Sequence, residues 1–338
     1  MSQPPSTETE TVLPQPATGS IDDKPRPLLS RYTPADTFFR RAAIGVGLTT
    51  LLILVFIGVN LVIKSTTAFR SQGWGFFTHL QWHASGNPPV FGIAAIVYWT
   101  VIIAAIALTI AVPVSIACAL FLTELAPRSL RAPLRSLVDL LAAIPSLIYG
   151  LWGAAVLQPL MVPLSRFLAD KMGWFPLFHG SAPPYTSSAL IAGVVVSLMV
   201  IPICASVIRE VFSQTPQGEK EAAFALGATR WSMIRTVVLT FGKGGIIGGS
   251  MLGLGRALGE TIAVALIIDP TFIISPNILH TGANSVAAFI ALRFGEADSL
   301  QLSGLMAAGL ALFALTLVVN TLAAFVVSRS RSGAGVEL

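Results

Sequence analysis

The chain is poor in charge and nearly devoid of cysteine. Only 11% of its 338 residues are Asp, Glu, Lys or Arg, against about 25% in a soluble domain, which excludes a water-soluble globule. The two cysteines, Cys118 and Cys204, lie inside apolar runs. They read as small buried residues, and they exclude a disulfide framework or a thiolate metal site. No G-x-x-x-x-G-K-[ST] stretch occurs; Lys243 follows Gly242 but precedes another glycine. The chain therefore lacks a Walker-type phosphate cradle. H-E-x-x-H and G-x-S-x-G are absent as well, which argues against an intramembrane enzyme.

What the chain has is apolar length. Hydrophobic residues make up 54% of it. Six runs, at about 42–63, 93–122, 136–161, 187–208, 244–268 and 301–327, are long enough for a spanning helix of roughly 20 residues. The fold class expected is all-α: a polytopic membrane protein with six transmembrane helices. The second and sixth runs are over-long, so tilt, a kink or an interfacial turn must absorb the excess, with Pro113 the obvious kink candidate. Most of the 21 basic residues precede the first run or lie in 128–135, 209–243 and 329–331. By the positive-inside rule that side, and both termini, are cytoplasmic. The net charge of +5 follows from this topology and needs no nucleic acid.

Residues 1–37, rich in Pro, Ser and Thr, read as a disordered cytoplasmic tail. Residues 38–331 form the membrane domain, with 209–243 as a cytoplasmic loop. No cleavable signal peptide is apparent, because the first apolar run starts after residue 41 and is long enough to stay. In the loop 64–92, Trp74, Phe76, Phe77 and Trp82 suit an interfacial belt or a docking surface for an external partner. His79 and His83 are four apart and would share a metal only on a helix, with no Cys or acidic residue nearby to complete the site. SVAAFIAL, between Asn284 and Arg293, is too short to span and reads as an interfacial or re-entrant helix.

Arg256 and Glu260 are the only charges between Lys243 and Asp269. A central Arg raises the insertion cost by roughly 2.5–3.5 kcal/mol, so such a residue faces a polar pathway or a partner rather than lipid. Two readings fit: an internal ion pair across one helical turn, or a guanidinium offering paired donors to an anion in transit. Gly244, Gly245, Gly248, Gly249, Gly253, Gly255 and Gly259 surround the pair in small-xxx-small spacings that allow close helix approach. In the third run, Asp139 lies four residues after Arg135, which suggests an i, i+4 salt bridge. Pro145, opening the stretch Pro145–Gly150 that contains Tyr149, permits a kink. Asp139, Pro145 and Tyr149 are the structural or gating candidates.

The loop between the fourth and fifth runs has the grammar of two short helices. Thr215 and Pro216 suit an N-cap and first position, Glu219 and Glu221 favour the opening turns, and Gly227 suits a left-handed C-terminal residue. Thr229 can cap a second helix bearing Trp231 and Met233. A compact knob of this kind is either a folded loop or a docking element.

Here the sequence resembles a known family. Glu221, Ala222 and Ala223, with Gly227 after three further residues, match the EAA loop of ABC importer permeases. Asp139–Gly153 and Gly255–Thr261 (GRALGET) resemble the phosphate importers among them, most closely the PstC type; Phe91-Gly92 and Glu124–Pro127 also fit. The similarity covers about residues 40–328. One departure is Leu239-Thr240, where the family often has Leu-Pro. The resemblance implies a MetI-like permease architecture in a bacterial cytoplasmic membrane. It implies no cofactor bound by this chain and docking of a separate ATPase, in two copies, through Glu221, Ala222, Ala223 and Gly227. It also implies a PstA-type second permease, an external phosphate-binding protein, and phosphate translocation past Arg256 and Glu260. A PstA-type identity, a molybdate or sulfate permease, and a stand-alone channel are the alternatives.

Overall fold

The computed structural model describes residues 34–83, 86, 89–179 and 183–330, with side chains described as far as Phe325. Most of the proposed tail, residues 1–33, lies outside the described residues; residues 34–37 are already helical. The chain divides into two units, 1–53 and 54–338. In the first, the described part is the opening of helix α1 (Pro34–Gln72), an uninterrupted apolar helix 39 residues long. The predicted run 42–63 is thus the middle of a longer element.

The second unit continues α1 and adds α2 (Gly75–Thr78), a two-stranded antiparallel ribbon of β1 (Trp82–His83) and β2 (Val90–Phe91), and α3 (Ala94–Leu120). α3 stays helical through Pro113 and runs into a π-helical turn at Phe121–Leu125. Then come α4 (Arg128–Ala143), α5 (Ser146–Trp152) and α6 (Gln158–Met172), the last two joined by a π turn at Gly153–Leu157. α7 (Ala189–Ser213) is followed by α8 (Gln217–Ala225), α9 (Arg230–Met233), a π turn at Ile234–Val238, and α10 (Leu239–Phe241). α11 (Lys243–Leu258), α12 (Ile262–Ile267), α13 (Val286–Arg293) and α14 (Ser299–Ser330) complete it. Among the described residues five helical stretches are long and apolar enough to cross a membrane, and six if the bent pair Arg230–Phe241 and Lys243–Leu258 counts as one.

Two of the six expected spans are broken into separate helices. The run 136–161 is not one helix: the chain breaks at Ile144-Pro145, and the apolar length belongs to 146–172. Pro145 has no N–H and holds the extended ψ of 140°, so α4 ends before it and α5 starts after it. The run 244–268 is also two helices, and α11 turns by 65° from the helix before it. SVAAFIAL does form the short helix α13, capped by the Ser285 hydroxyl accepting from Ala288 N–H.

The aromatic loop serves the core more than a belt. Phe76 is fully buried, and Trp82 packs edge-on against Phe91 and Phe289; Trp74 and, to a lesser degree, Phe77 are exposed. His79 ends α2 in extended backbone while His83 lies in β1, so the two histidines share no helical face. Among the described residues no cluster suits a metal ion.

The central packing is α3 on α7 and α11 on α7. Trp99, Ile103, Ala107 and Ala111 of α3 meet Val195, Val196, Met199 and Ile208 of α7 in one buried cluster. Ser115 of α3 donates to the Ile201 carbonyl beside Pro202. Gly245, Gly249 and Gly253 form the α11 seam. A Cβ at Gly245 would sit 2.6 Å from Val211, and one at Gly253 would sit 2.5 Å from the Cys204 sulfur. Cys204 is therefore a packing residue, with its thiol donating to the Gly249 carbonyl at 3.1 Å. Gly253→Val is expected to destabilise the bundle by about 1–3 kcal/mol through overpacking. Thermal unfolding in detergent measures this; an unchanged midpoint would mean that α7 yields at little cost.

Candidate functional site

α11 carries Arg256 in its last turn and stops at Leu258. Gly259, at φ −92° and ψ 2°, leaves helical geometry, and the Thr261 hydroxyl donates back to the Gly259 carbonyl at 3.1 Å. Glu260 sits in this break, 7% exposed. One carboxylate oxygen accepts from the Ala263 N–H at 3.4 Å, so Glu260 completes the first turn of α12, where a negative group is favoured. The ion pair expected from i, i+4 spacing is not formed, because the helix ends between its two members.

Arg256 has no counterion among the described residues. Its Nε is buried without a partner, and no described residue accepts a hydrogen bond from the guanidinium. The residue as a whole is half-buried, and a charged donor buried at its Nε without an acceptor is unfavourable unless something else supplies one.

The two motif segments meet in space. Gly150 packs so tightly on α12 that a Cβ there would lie 2.8 Å from the Ala263 Cα. The backbones of α5 and α12 thus touch, with Tyr149 one residue before the contact and Glu260 three before its partner. Tyr149 also donates to the Leu141 carbonyl at 3.0 Å, bridging the break at Pro145. With Val138, Ile144 and Trp152, and with Val114, Cys118 and Pro202 of α3 and α7, it lines an apolar cavity of about 450 Å³. Asp139 does not use Arg135: its ion pair is with Arg209 of α7, at 3.4 Å. Asp139 is half exposed whereas Arg209 is nearly buried, so the contact ties α4 to α7.

The segment between α7 and α11 takes the expected helix–glycine–helix form. α8 starts one residue later than its sequence suggests, because Pro216 and not Thr215 occupies the capping position. Gly227 has φ +80°. Its N–H bonds the Phe224 carbonyl at 2.9 Å, and Ala228 N–H bonds Ala223 at 3.0 Å, the paired bonds of a Schellman ending. Thr229 caps α9 by accepting from Ser232 N–H. Glu221 and Ala222 are exposed and Ala223 half-buried. Around them Phe224, Leu226 and Trp231 expose 44%, 89% and 64% of their surface, apolar area that suits a partner protein.

Sequence reasoning missed the buried ion pair of Lys220 with Glu124, 2.7 Å apart. Ninety-six residues separate its members. The one available signal was Glu124 itself, an acidic residue closing an apolar run.

Comparison with known proteins gives a consistent answer. Residues 111–332 match the family described as binding-protein-dependent transport system inner membrane component. Phosphate transport system permease protein PstC 2 of Mycobacterium tuberculosis is 39% identical over 315 residues, covering 92% of this chain and 95% of that protein. The permease protein PstC of Xylella fastidiosa is 41% identical over 300 residues, covering 87% and 91%, and that of Haemophilus influenzae 39% over 304, covering 89% and 95%. Two solved structures share the fold at low identity. A bacterial ABC transporter involved in import of the acidic polysaccharide alginate matches with TM-score 0.56 at 19% identity, covering 87% of this chain and 98% of its own. The same kind of transporter, in complex with an alginate-bound periplasmic protein, matches with TM-score 0.58 at 16% identity, covering 88% and 97%.

Proposed function

We propose that this chain, which belongs to the binding-protein-dependent transport system inner membrane components and among them to the PstC-type phosphate permeases, forms one half of the membrane pathway of an ATP-driven phosphate importer. The observation that carries the mechanism is the unpartnered guanidinium of Arg256 at a helix break. Phosphate near neutral pH bears one or two negative charges and several acceptor oxygens, which a planar guanidinium meets with parallel donors. Because Glu260 is engaged in capping α12, the anion replaces no protein counterion when it arrives. A single Arg attracts phosphate without enclosing it, as a conducting site requires.

ATP is hydrolysed by a separate subunit, in two copies, that docks on Glu221, Ala222, Ala223 and Gly227 and on the apolar residues beside them. A PstA-type permease supplies the other half of the pathway, and an extracytoplasmic binding protein delivers phosphate. The excess of basic residues supports a cytoplasmic position for this knob and both termini. No cofactor is bound by this chain. Asp139, Pro145 and Tyr149 shape the broken helix beside the pathway, where they hold rather than bind. The relatives reported do not favour a PstA-type or molybdate or sulfate assignment.

Uptake of labelled phosphate into vesicles holding the purified complex, with ATP inside the ATPase compartment, tests the cargo. Phosphate should outcompete molybdate and sulfate, and the ATPase should co-purify. Equal competition by either oxyanion would redirect the assignment, and uptake without any ATPase would point to a channel.

A further inference from the structure

α8 carries one deeply set side chain, beside a half-buried Ala223 that packs against the core. Gln217, Gly218, Glu219, Glu221, Ala222 and Phe224 are exposed, and the helix's single buried residue is Lys220. Its ammonium lies 2.7 Å from a Glu124 carboxylate oxygen, and the two side chains retain only 10% and 11% exposure. Such a pair resists separation, because pulling it apart leaves an uncompensated charge out of water. An apolar contact of the same area could slide.

Glu124 is placed to pass a pull onward. It belongs to the π turn Phe121–Leu125, which continues α3 without a break in helical backbone. The end of that turn is pinned by Arg131, whose Nε–H donates to the Ala126 carbonyl at 2.9 Å. α3 is locked along α7, with Gly193 pressed against Ile106, and α7 is locked to α11 through the glycine seam. α11 ends at Arg256. A continuous run of close contacts therefore leads from the exposed knob to the unpartnered guanidinium, and the Glu124–Lys220 bond is its first joint.

We infer that Glu124 and Lys220 are positioning residues that transmit displacement of α8 into α3, converting ATPase movement into rearrangement of the membrane helices. This rests on the reading that α8 docks on a separate ATPase. Neither residue touches phosphate or nucleotide; both act through the helices they join.

The test uses the complete purified complex in vesicles, with Lys220→Met, Glu124→Gln, and the exchange Glu124→Lys with Lys220→Glu. Three quantities are measured: ATPase retained on purification, ATP hydrolysis, and phosphate taken up per ATP. The singles should keep the ATPase and keep hydrolysing while uptake per ATP falls by about tenfold, and the exchange should recover most of the loss, as expected for coupled neighbours. Unchanged uptake per ATP in the singles would overturn the inference. So would loss of the ATPase from the singles, since the pair would then merely hold the knob folded. Absence of the ATPase from the wild-type complex would instead defeat the docking reading itself, a result visible before any variant is made.

Discussion

Replacing Arg256 with glutamine should lower phosphate uptake by about ten- to a hundredfold, the scale of losing a charge-assisted, bidentate contact worth roughly 1.5–3 kcal/mol. The ATPase should still co-purify, because the α8 knob lies on separate elements. Arg256→Lys should fall between, keeping the charge and losing the planar fork. Glu260 gives the internal control. Its role in the structure is to accept from Ala263 N–H, which a glutamine carbonyl can also do. Glu260→Gln should therefore retain most uptake, whereas Glu260→Ala should lose the cap and about 0.5–2 kcal/mol of local stability. Uptake by Arg256→Gln in reconstituted vesicles close to wild type would remove Arg256 from the pathway. A Glu260→Gln defect as severe as that of Arg256→Gln would restore the paired reading.

The second large effect is expected at Gly227. Its φ of +80° is left-handed, and a Cβ there would meet nothing within 4 Å, so the penalty of a side chain is backbone strain alone. That strain is about 1–2 kcal/mol for an ordinary residue and more for a β-branched one. Gly227→Val should open the Schellman ending and move Leu226 and Trp231 away from their present places beside α8. Transport should drop by about tenfold while the membrane helices remain folded, a result that strain of this size allows. Gly227→Asn, which tolerates the left-handed region, should keep most of the activity. The comparison of uptake per ATP across the two variants is decisive: equal behaviour would mean that the turn is not required in this conformation.

The architecture was legible because apolar length is a direct physical demand of the bilayer. The knob was legible because capping and glycine preferences act within a few residues; only its first residue was misplaced, where Pro216 took the cap position from Thr215. What escaped was tertiary. The Pro145 break moved the third apolar stretch to 146–172, since a proline removes an N–H and constrains the residue before it. The 244–268 run hid its break because Gly259, Glu260 and Thr261 each fit within a helix in isolation, and the stop appears only when Glu260 turns to cap α12. Asp139 looked paired with Arg135 on its own helix, yet bonds Arg209 of α7, to which local spacing gives no clue. The Glu124–Lys220 pair lies beyond any periodicity argument for the same reason.

The shortness of α11 bears on how the protein enters the membrane. Its 16 residues extend about 24 Å, less than the roughly 30 Å hydrocarbon core, and seven of the residues from Gly244 to Gly259 are glycine. With Arg256 near its end, it is a weak signal to the insertion machinery. A segment of this kind needs a surface already waiting for it. That surface is α7, whose Val200, Cys204, Ile208 and Val211 stand against the glycine seam. Biogenesis should then proceed in chain order, with α7 seated first and α11 admitted by fit rather than by its own greasiness. Bulk added to those α7 positions would show itself as chains that stall during insertion and are degraded before any complex can assemble.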